Sequence, residues 1–272
     1  MHVGFIGTGS MGSILIESFI EAGSIAPAKI HASNRTFSKV KELAKKHTGL
    51  HAYNTNRRVA EKAELVFLCV KPLEFRHVLE EIKDYIKPEQ ILVSITSPVQ
   101  IDDLEQLVSA KVAKIIPSIT NAAQSGATLM MAGSRLTEAD RNMLYDLMKT
   151  ISHPLWIDEQ FTRISSDIVS CGPAFISYLL QEMVEAAVRV TNLPREQAVY
   201  LTTSMMIGLG KLFEREKFTL ETLQQRVCVP GGVTGEGLKV LKQEVKDMFD
   251  NLFRQTQNKF KEDVQAVKNM FS

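Results

Sequence analysis

Apolar and polar positions divide the chain into two parts with different periodicities. The first part alternates short apolar segments with stretches of helical spacing, and five of the segments predict β-strands: HVGFI, KIHAS, ELVFLCV, QILVSI and AKVAKII. Helical spacing covers residues 11–22 and 37–47. Residues 66–70 are continuously apolar, which is typical of a strand buried on both faces of a parallel sheet. This alternation predicts a doubly wound α/β domain.

The second part of the chain has helical spacing throughout. Segments 173–190 and 194–216 each begin with a proline, which is favourable in the first turn of a helix. The last segment places six apolar residues on or near one helical stripe: Met248, Leu252, Phe260, Val264, Val267 and Phe271. Such stripes fit either an oligomer interface or the core of a single chain. We expect an α/β domain over residues 1–155 and an all-helical domain over residues 156–272.

Composition narrows the class of protein. With 272 residues, 44% hydrophobic and 23% charged, the chain fits one large or two ordinary globular domains. The net charge of +1 gives no reason to expect nucleic acid or an anionic membrane as a partner. The cysteines Cys69, Cys171 and Cys228 are scattered, which argues against a metal site and favours a reducing compartment. Without a signal-peptide pattern or a long apolar run, the sequence predicts a cytoplasmic protein.

A glycine-rich segment near the amino terminus, GFIGTGSMG, matches the pattern G-x-G-x-x-G. It follows a predicted strand and opens a predicted helix, and it comprises Gly7, Thr8, Gly9, Ser10, Met11 and Gly12. The first glycine permits a tight turn, the second lets a pyrophosphate approach the backbone, and the third allows close helix–strand packing. The helix then presents free N–H groups to the anion. A plain strand–helix turn is the alternative, but the context favours a Rossmann-like dinucleotide site.

The end of the second predicted strand indicates which dinucleotide binds. Sites for NAD usually have an acidic residue there, whereas HASNRT has none. Arg35 has the planar fork that pairs with a 2′-phosphate, so the sequence predicts NADP(H); an ordinary surface charge is the alternative. Lys71 and Pro72 follow another buried strand, where they either line the ligand crevice or simply leave the strand.

Two further motifs point to a known family. SCGPAF at residues 170–175 and PGGVTGEGL at residues 230–238 follow GFIGTGSMG and VKP in the expected order. Together they resemble the pyrroline-5-carboxylate reductase family over nearly the whole chain, and also its divergent late-competence branch, ComER. The resemblance implies NAD(P)H-dependent reduction of the cyclic imine pyrroline-5-carboxylate to proline. It also implies a Rossmann-like domain and a helical domain that forms an intertwined dimer, or an assembly of dimers, with active sites shared between subunits.

The resemblance also implies roles for individual residues. The cofactor should be lined by residues 7–12 together with Asn34, Arg35, Asn56, Val70, Lys71 and Pro72. The substrate carboxylate should be held by Gly231, Gly232, Val233 and Thr234, with Thr234 as the catalytic residue that hydrogen-bonds near the imine nitrogen. Chemically, PGGVTGEG is a turn before a short helix, GLKVLKQ, with Thr234 as its N-cap. The N–H groups of such a turn suit a carboxylate, although an ordinary helix cap is an alternative.

Several positions depart from the family pattern and leave the substrate open. Ser118 and Thr120 stand where the family usually has Asn and Pro. Val229 stands where the family has a Ser, so the hydroxyl of that Ser is lost. One alternative is therefore an NADP(H)-binding regulatory protein without catalysis. Another is a 3-hydroxyacid dehydrogenase, but that family has a catalytic Lys on the first helix of the second domain. The corresponding segment GPAFISYLLQEMVEAA contains no Lys.

Overall fold

Eight β-strands form one sheet in the amino-terminal part of this computed structural model, which describes residues 1–271. The strands are β1 (Val3–Ile6), β2 (Ile30–Ser33), β3 (His51–Tyr53), β4 (Leu65–Leu68), β5 (Ile91–Ser94), β6 (Lys111–Ile116), β7 (Ala127–Ala132) and β8 (His153–Trp156). Their order is β3-β2-β1-β4-β5-β6-β7-β8. Strands β1 to β6 are parallel, whereas β7 runs antiparallel to β6 and β8 runs parallel to β7.

Helices cover both faces of this sheet, as the doubly wound prediction requires. They are α1 (Ser10–Glu21), α2 (Phe37–Lys46), α3 (Asn56–Lys62), α4 (Phe75–Ile82), α5 (Ile101–Leu107), α6 (Glu138–Lys149) and α7 (Thr162–Ser166). On one face, the rings of Phe5 and Phe67 stack 5.1 Å apart and pack with Phe19. On the other face, Ile6 and Leu68 pack with the side chains of α4. Burial on both sides explains why these strands are continuously apolar.

Three strands, β3, β7 and β8, were not among the five that the sequence predicts. Strand β3 has only three residues and lies at one edge of the sheet. Strand β8 lies at the other edge and contains Pro154, which an edge strand tolerates because one side of it makes no ladder hydrogen bonds. The predicted boundary after residue 155 therefore falls inside β8.

The chain divides into two compact units in a way that the sequence did not indicate. One unit comprises Met1–Pro173 and the segment from Thr256 onward, and the other comprises Ala174–Gln255. The carboxyl-terminal helices are α8 (Gly172–Thr191), α9 (Arg195–Glu214), α10 (Leu220–Val227), α11 (Val233–Glu244) and α12 (Met248–Phe271). The predicted helical character is confirmed, but α12 returns to the first unit from Thr256. Across residues 1–271, no helix is long and apolar enough to cross a membrane.

The helical unit buries few of its own side chains. Within residues 174–255, only Val184 and Ala198 are buried, and several large apolar side chains are exposed: Tyr178, Met183, Tyr200, Leu201, Met205 and Ile207. A segment of this length normally encloses a core of its own. The apolar stripes of these helices therefore resemble an interface more than the interior of a single chain.

Candidate functional site

The glycine-rich segment forms the turn between β1 and α1, at the carboxyl end of the parallel strands. Gly7 has φ +100°, and a Cβ there would lie 2.4 Å from the carbonyl oxygen of Cys69. A Cβ on Gly12 would lie 2.1 Å from the carbonyl oxygen of Gly7, so both positions need glycine. A Cβ on Gly9 would meet no atom within 4 Å. The backbone at Gly9 is therefore open to a ligand, whereas Gly7 and Gly12 allow the turn and close packing.

Polar groups at this turn fit an anionic ligand. Thr8 is 4% exposed, and its Oγ1 has no hydrogen-bond partner. Helix α1 starts with Ser10 and Met11 after the capping residue Gly9, without a side-chain cap and without an acidic residue in its first turn. The first N–H groups of such a helix attract anions, and an unpaired buried hydroxyl favours a further hydrogen bond. These residues fit the pyrophosphate of a dinucleotide.

The segment after β2 is bonded to the glycine turn and carries the predicted 2′-phosphate residue. Asn34 Oδ1 accepts a hydrogen bond of 3.1 Å from the backbone N–H of Thr8. The side chain of Arg35 is 88% exposed, and its Nη1 lies 2.7 Å from Oε1 of Glu74. Asn34 therefore fixes the glycine turn, while Arg35 extends toward the segment after β4.

The segment after β4 contains Val70, Lys71 and Pro72. A Cβ on Gly7 would lie 3.2 Å from Cγ1 of Val70, so this segment contacts the glycine turn directly. Lys71 precedes a short 3-10 turn, Pro72–Glu74, and its backbone N–H lies 3.4 Å from Oε2 of Glu74. The predicted residues after β1, β2 and β4 therefore lie together at the carboxyl ends of these parallel strands.

Asn56, the remaining predicted cofactor residue, begins α3 and is held from two sides. Its Oδ1 accepts a 2.8 Å hydrogen bond from Ser33 Oγ, and its Nδ2 donates a 2.7 Å bond to Glu81 on α4. Its backbone N–H donates to the other oxygen of Glu81 at 3.2 Å. Sequence reasoning missed Glu81 because the pattern HVLEEI shows only a polar position on an amphipathic helix. These bonds fix the orientation of the Asn56 amide, and its contact with a cofactor stays a prediction.

The predicted substrate residues form the start of α11 in the helical unit. Gly231 has φ +72°, and Gly232 is the capping residue, with extended backbone angles of φ −83° and ψ 156°. Val233 is 89% exposed, and Thr234 is the second residue of the helix. The prediction that Thr234 is the N-cap is therefore wrong, because the helix begins earlier than the pattern GLKVLKQ suggested. The first N–H groups of α11 have no side-chain cap, which keeps them suited to a carboxylate.

Two of the positions that depart from the family pattern hydrogen-bond to each other. Ser118 is buried, and its hydroxyl donates a 2.8 Å bond to the carbonyl oxygen of Val169. Its oxygen accepts a 2.9 Å bond from Thr120 Oγ1. Ser170 Oγ donates to the carbonyl oxygen of Pro117 at 2.9 Å. These hydroxyls therefore link the segment after β6 to a π-helical turn, Asp167–Cys171, which precedes α8.

Titratable groups close to the glycine turn are few. Burial raises the pKa of the Cys69 thiol, which stays protonated directly after β4. Among residues 1–271, no group of three or more His, Cys, Asp or Glu side chains has the geometry to hold a metal ion. The other charged side chains at the carboxyl ends of these strands belong to Arg35, Lys71, Glu74 and Glu81.

Comparison with known proteins identifies the family. Residues 159–263 match the family described as pyrroline-5-carboxylate reductase dimerisation, and residues 2–98 match the family described as NADP oxidoreductase coenzyme F420-dependent. ComE operon protein 4 of Bacillus subtilis is 45% identical over 271 residues, which cover 100% of this chain and 99% of the relative. The chain belongs to the pyrroline-5-carboxylate reductase family. The resemblance inferred from the four motifs is thereby confirmed.

Other members of the pyrroline-5-carboxylate reductase family are more distant but match over similar lengths. Pyrroline-5-carboxylate reductase 3 of Bacillus subtilis is 27% identical over 260 residues, covering 95% of each chain. The solved structure of a pyrroline-5-carboxylate reductase from Coxiella burnetii superposes with a TM-score of 0.83 at 25% identity, covering 99% of this chain and 98% of the other. The predicted fold class, a Rossmann-like sheet followed by a helical region, is confirmed.

Proposed function

We propose that this member of the family is an NADPH-dependent reductase of a cyclic imine that bears a carboxylate, as in the reduction of pyrroline-5-carboxylate to proline. The observation that carries the proposal is the turn at residues 7–12. Its backbone is open at Gly9, its buried Thr8 hydroxyl is unpaired, and the helix after it has no cap. These three features together suit the pyrophosphate of a dinucleotide.

In this proposal, the cofactor supplies a hydride, and the chain binds and orients both reactants. The N–H groups at the start of α1 hold the pyrophosphate, and the guanidinium of Arg35 binds the 2′-phosphate. Asn56, whose amide is fixed by Ser33 and Glu81, contacts the cofactor from the adjacent segment. Lys71 adds a positive charge at the end of β4.

The start of α11 holds the substrate carboxylate in this proposal. Backbone N–H groups from Val233 onward supply the hydrogen bonds, and the Thr234 hydroxyl bonds near the imine nitrogen. All six histidines lie at or before residue 153, so residues 156–272 offer no imidazole as a general acid. A protonated imine brings its own proton: the hydride adds to the carbon, the C=N π electrons become the nitrogen lone pair, and the product is an amine. Thr234 then has a positioning role rather than a proton-donating one.

The proposal includes a homodimer, or an assembly of dimers, formed through the helical unit. Residues 174–255 bury only two of their own side chains, and association of two copies would cover their exposed apolar faces. Residues 159–263 match a dimerisation family, which agrees with this arrangement. The proposed location is the cytoplasm, whose reducing conditions suit the three free cysteines.

The test measures NADPH oxidation with pyrroline-5-carboxylate, together with direct NADPH binding by calorimetry. We expect turnover in the wild-type protein and a lower kcat in Thr234→Ala, with partial recovery in Thr234→Ser. Thr191→Ala is a matched control, because the Thr191 hydroxyl bonds to neighbouring backbone groups: it donates to the carbonyl oxygen of Ala187 and accepts from the N–H of Leu193. Wild-type turnover that Thr234→Ala leaves unchanged contradicts the role of Thr234, and absence of turnover with every cyclic imino acid contradicts the reductase.

A second candidate is an NADP(H)-binding regulatory protein without imine reduction, linked to competence. It is favoured by the higher identity to ComE operon protein 4, 45%, than to pyrroline-5-carboxylate reductase 3 of the same organism, 27%. The loss of a hydroxyl at Val229, directly before the turn at Gly231, agrees with it. NADPH binding without turnover of any cyclic imine would favour this candidate.

A further inference from the structure

An ion pair connects the two segments that flank the glycine turn. Arg35 follows β2, and Glu74 lies in the 3-10 turn after β4. Strand β1 lies between β2 and β4 in the sheet, so the segments that carry the two side chains are on opposite sides of the turn at residues 7–9. With strands about 4.8 Å apart, these segments are separated by roughly 10 Å. Arg35 Nη1 and Glu74 Oε1 close this distance with a contact of 2.7 Å.

An NAD site usually has an acidic residue at the end of the second strand, which in this chain is followed by Asn34 and Arg35. Segment HASNRT has no acidic residue, and Glu74 brings a carboxylate to the same arginine from another part of the chain. Its other oxygen, Oε2, lies 3.4 Å from the N–H of Lys71. Arg35, the residue predicted to bind the 2′-phosphate, is thus paired with a negative group of the protein.

We propose that Glu74 is a specificity-determining residue, because its carboxylate competes with the 2′-phosphate of NADP(H) for the guanidinium of Arg35. Glu74 thereby reduces the preference for NADP(H) over NAD(H). The inference rests on the cofactor part of the proposed function, and it adds a residue to which neither the motifs nor the family resemblance assigns a role.

Because the ion pair is exposed, Glu74 competes with the 2′-phosphate for Arg35 but does not exclude it. The side chains of Arg35 and Glu74 are 88% and 36% exposed, and ion pairs with such exposure contribute little and exchange readily. A phosphate has more charge than a carboxylate and matches the guanidinium fork equally well. The phosphate therefore displaces Glu74, but its affinity is lowered by the ion pair that must break.

Glu74→Gln separates this role from a structural one. Glutamine keeps the length of the side chain and an oxygen that accepts the hydrogen bond from Lys71 N–H, but it has no charge to compete for Arg35. Glu80→Gln is the matched control, because Glu80 lies on α4 and forms an exposed ion pair of 2.5 Å with Lys83. Both variants change the net charge of the protein equally.

The experiment measures binding of two fragments, 2′,5′-ADP and 5′-AMP, to the full-length protein by isothermal titration calorimetry at low salt. We expect Glu74→Gln to bind 2′,5′-ADP about two- to fivefold more tightly, the range of one exposed ion pair, with binding of 5′-AMP unchanged. Glu80→Gln should behave as wild type. In an Arg35→Gln background, Glu74→Gln should give no further gain.

Two results would overturn the inference. One is unchanged binding of 2′,5′-ADP by Glu74→Gln, and the other is an equal gain in the Arg35→Gln background, because Glu74 would then repel the phosphate without competing for the arginine. If wild type binds NADPH and either result is found, only the role of Glu74 fails. If wild type binds neither NADPH nor 2′,5′-ADP, the proposed cofactor fails, and the inference fails with it.

Discussion

His31 lies on β2 in a cluster of aromatic and titratable side chains at one edge of the sheet, and the stability of the fold should depend on its protonation. Its ring is stacked on that of His51 at 4.8 Å, and its Nε2 lies 2.7 Å from Nδ1 of His2. Its Nδ1 lies 3.1 Å from the hydroxyl of Tyr53. The pKa of His31 is lowered from 6.5 to about 4, mainly by burial and then by the nearby charges of His51 and His2.

The pKa difference of His31 between the folded and the unfolded chain sets the sign and the size of the change in stability. Between pH 6.5 and pH 4, the unfolded chain binds a proton at this histidine and the folded chain does not, so the free energy of unfolding falls as the pH falls. The stabilisation is complete above pH 6.5. A pKa difference of about 2.5, at about 1.4 kcal/mol for each pKa unit, limits the loss to about 3.5 kcal/mol. His31 itself is 4% exposed, but the His51 ring stacked on it is exposed, so solvent screening keeps the loss below this limit.

The assay is urea unfolding of wild type, His31→Gln and His77→Gln at pH values from 7.5 to 4.5. His77 is an exposed histidine on α4 and controls for the substitution itself. We expect the loss of stability on acidification to be about 2 kcal/mol smaller in His31→Gln than in the other two proteins. Equal pH dependence in all three would refute the reasoning. An NMR titration of the wild-type His31 ring tests the same pKa if the variant does not fold.

Three further predictions concern packing and the proposed cofactor site. Gly12→Ala should abolish NADPH binding measured by calorimetry, because its Cβ would lie 2.1 Å from the Gly7 carbonyl oxygen; normal binding contradicts this packing. Glu81→Gln should weaken NADPH binding about three- to tenfold, because it removes the charge-assisted bonds that orient Asn56; an unchanged Kd contradicts that role. Lys114→Met should lower the free energy of unfolding in urea by about 1.5 kcal/mol, because Glu159 loses its ion pair with this buried lysine but is 30% exposed and keeps the bond from the Ile101 N–H; wild-type stability would contradict this expectation.

The glycine turn was predictable because most of what it requires is local. The strand, the turn and the first helix occupy one continuous segment, and the two close contacts involve Gly7, Gly12 and the end of a neighbouring strand. A short pattern of apolar residues and glycines therefore determines both the geometry and the opening at Gly9. The structure has the turn at Gly7, the open backbone at Gly9 and the close contact at Gly12, whereas binding of a dinucleotide stays a prediction.

Glu74 and Glu81 were not predictable, because their partners are distant in the chain. Glu74 pairs with Arg35 across 39 positions, and Glu81 holds Asn56 across 25 positions. In the sequence, both are acidic residues in amphipathic segments, where an exposed charge is the ordinary expectation. Only the strand order, which places β2 and β4 on either side of β1, brings these carboxylates to the predicted site.

The start of α11 was misplaced for a different reason. Two adjacent glycines are typical of a turn, and threonine is a stronger N-cap signal than glycine, so the pattern favoured Thr234 as the cap. In the structure, Gly231 takes the left-handed backbone conformation, and the extended Gly232 caps the helix. Backbone geometry therefore decided the start of the helix, and the side-chain preference did not.

The two predicted binding segments, at the starts of α1 and α11, both offer backbone N–H groups to a ligand. At α1 and at α11, the capping residue is a glycine, and no side chain caps the first N–H groups. Hydrogen bonds from backbone N–H groups do not depend on which side chain stands at the position. The change to valine at residue 229 removes a hydroxyl, but it leaves these N–H groups in place. The proposed recognition of a pyrophosphate and of a carboxylate is therefore compatible with 27% identity to a pyrroline-5-carboxylate reductase, because its main donors belong to the backbone.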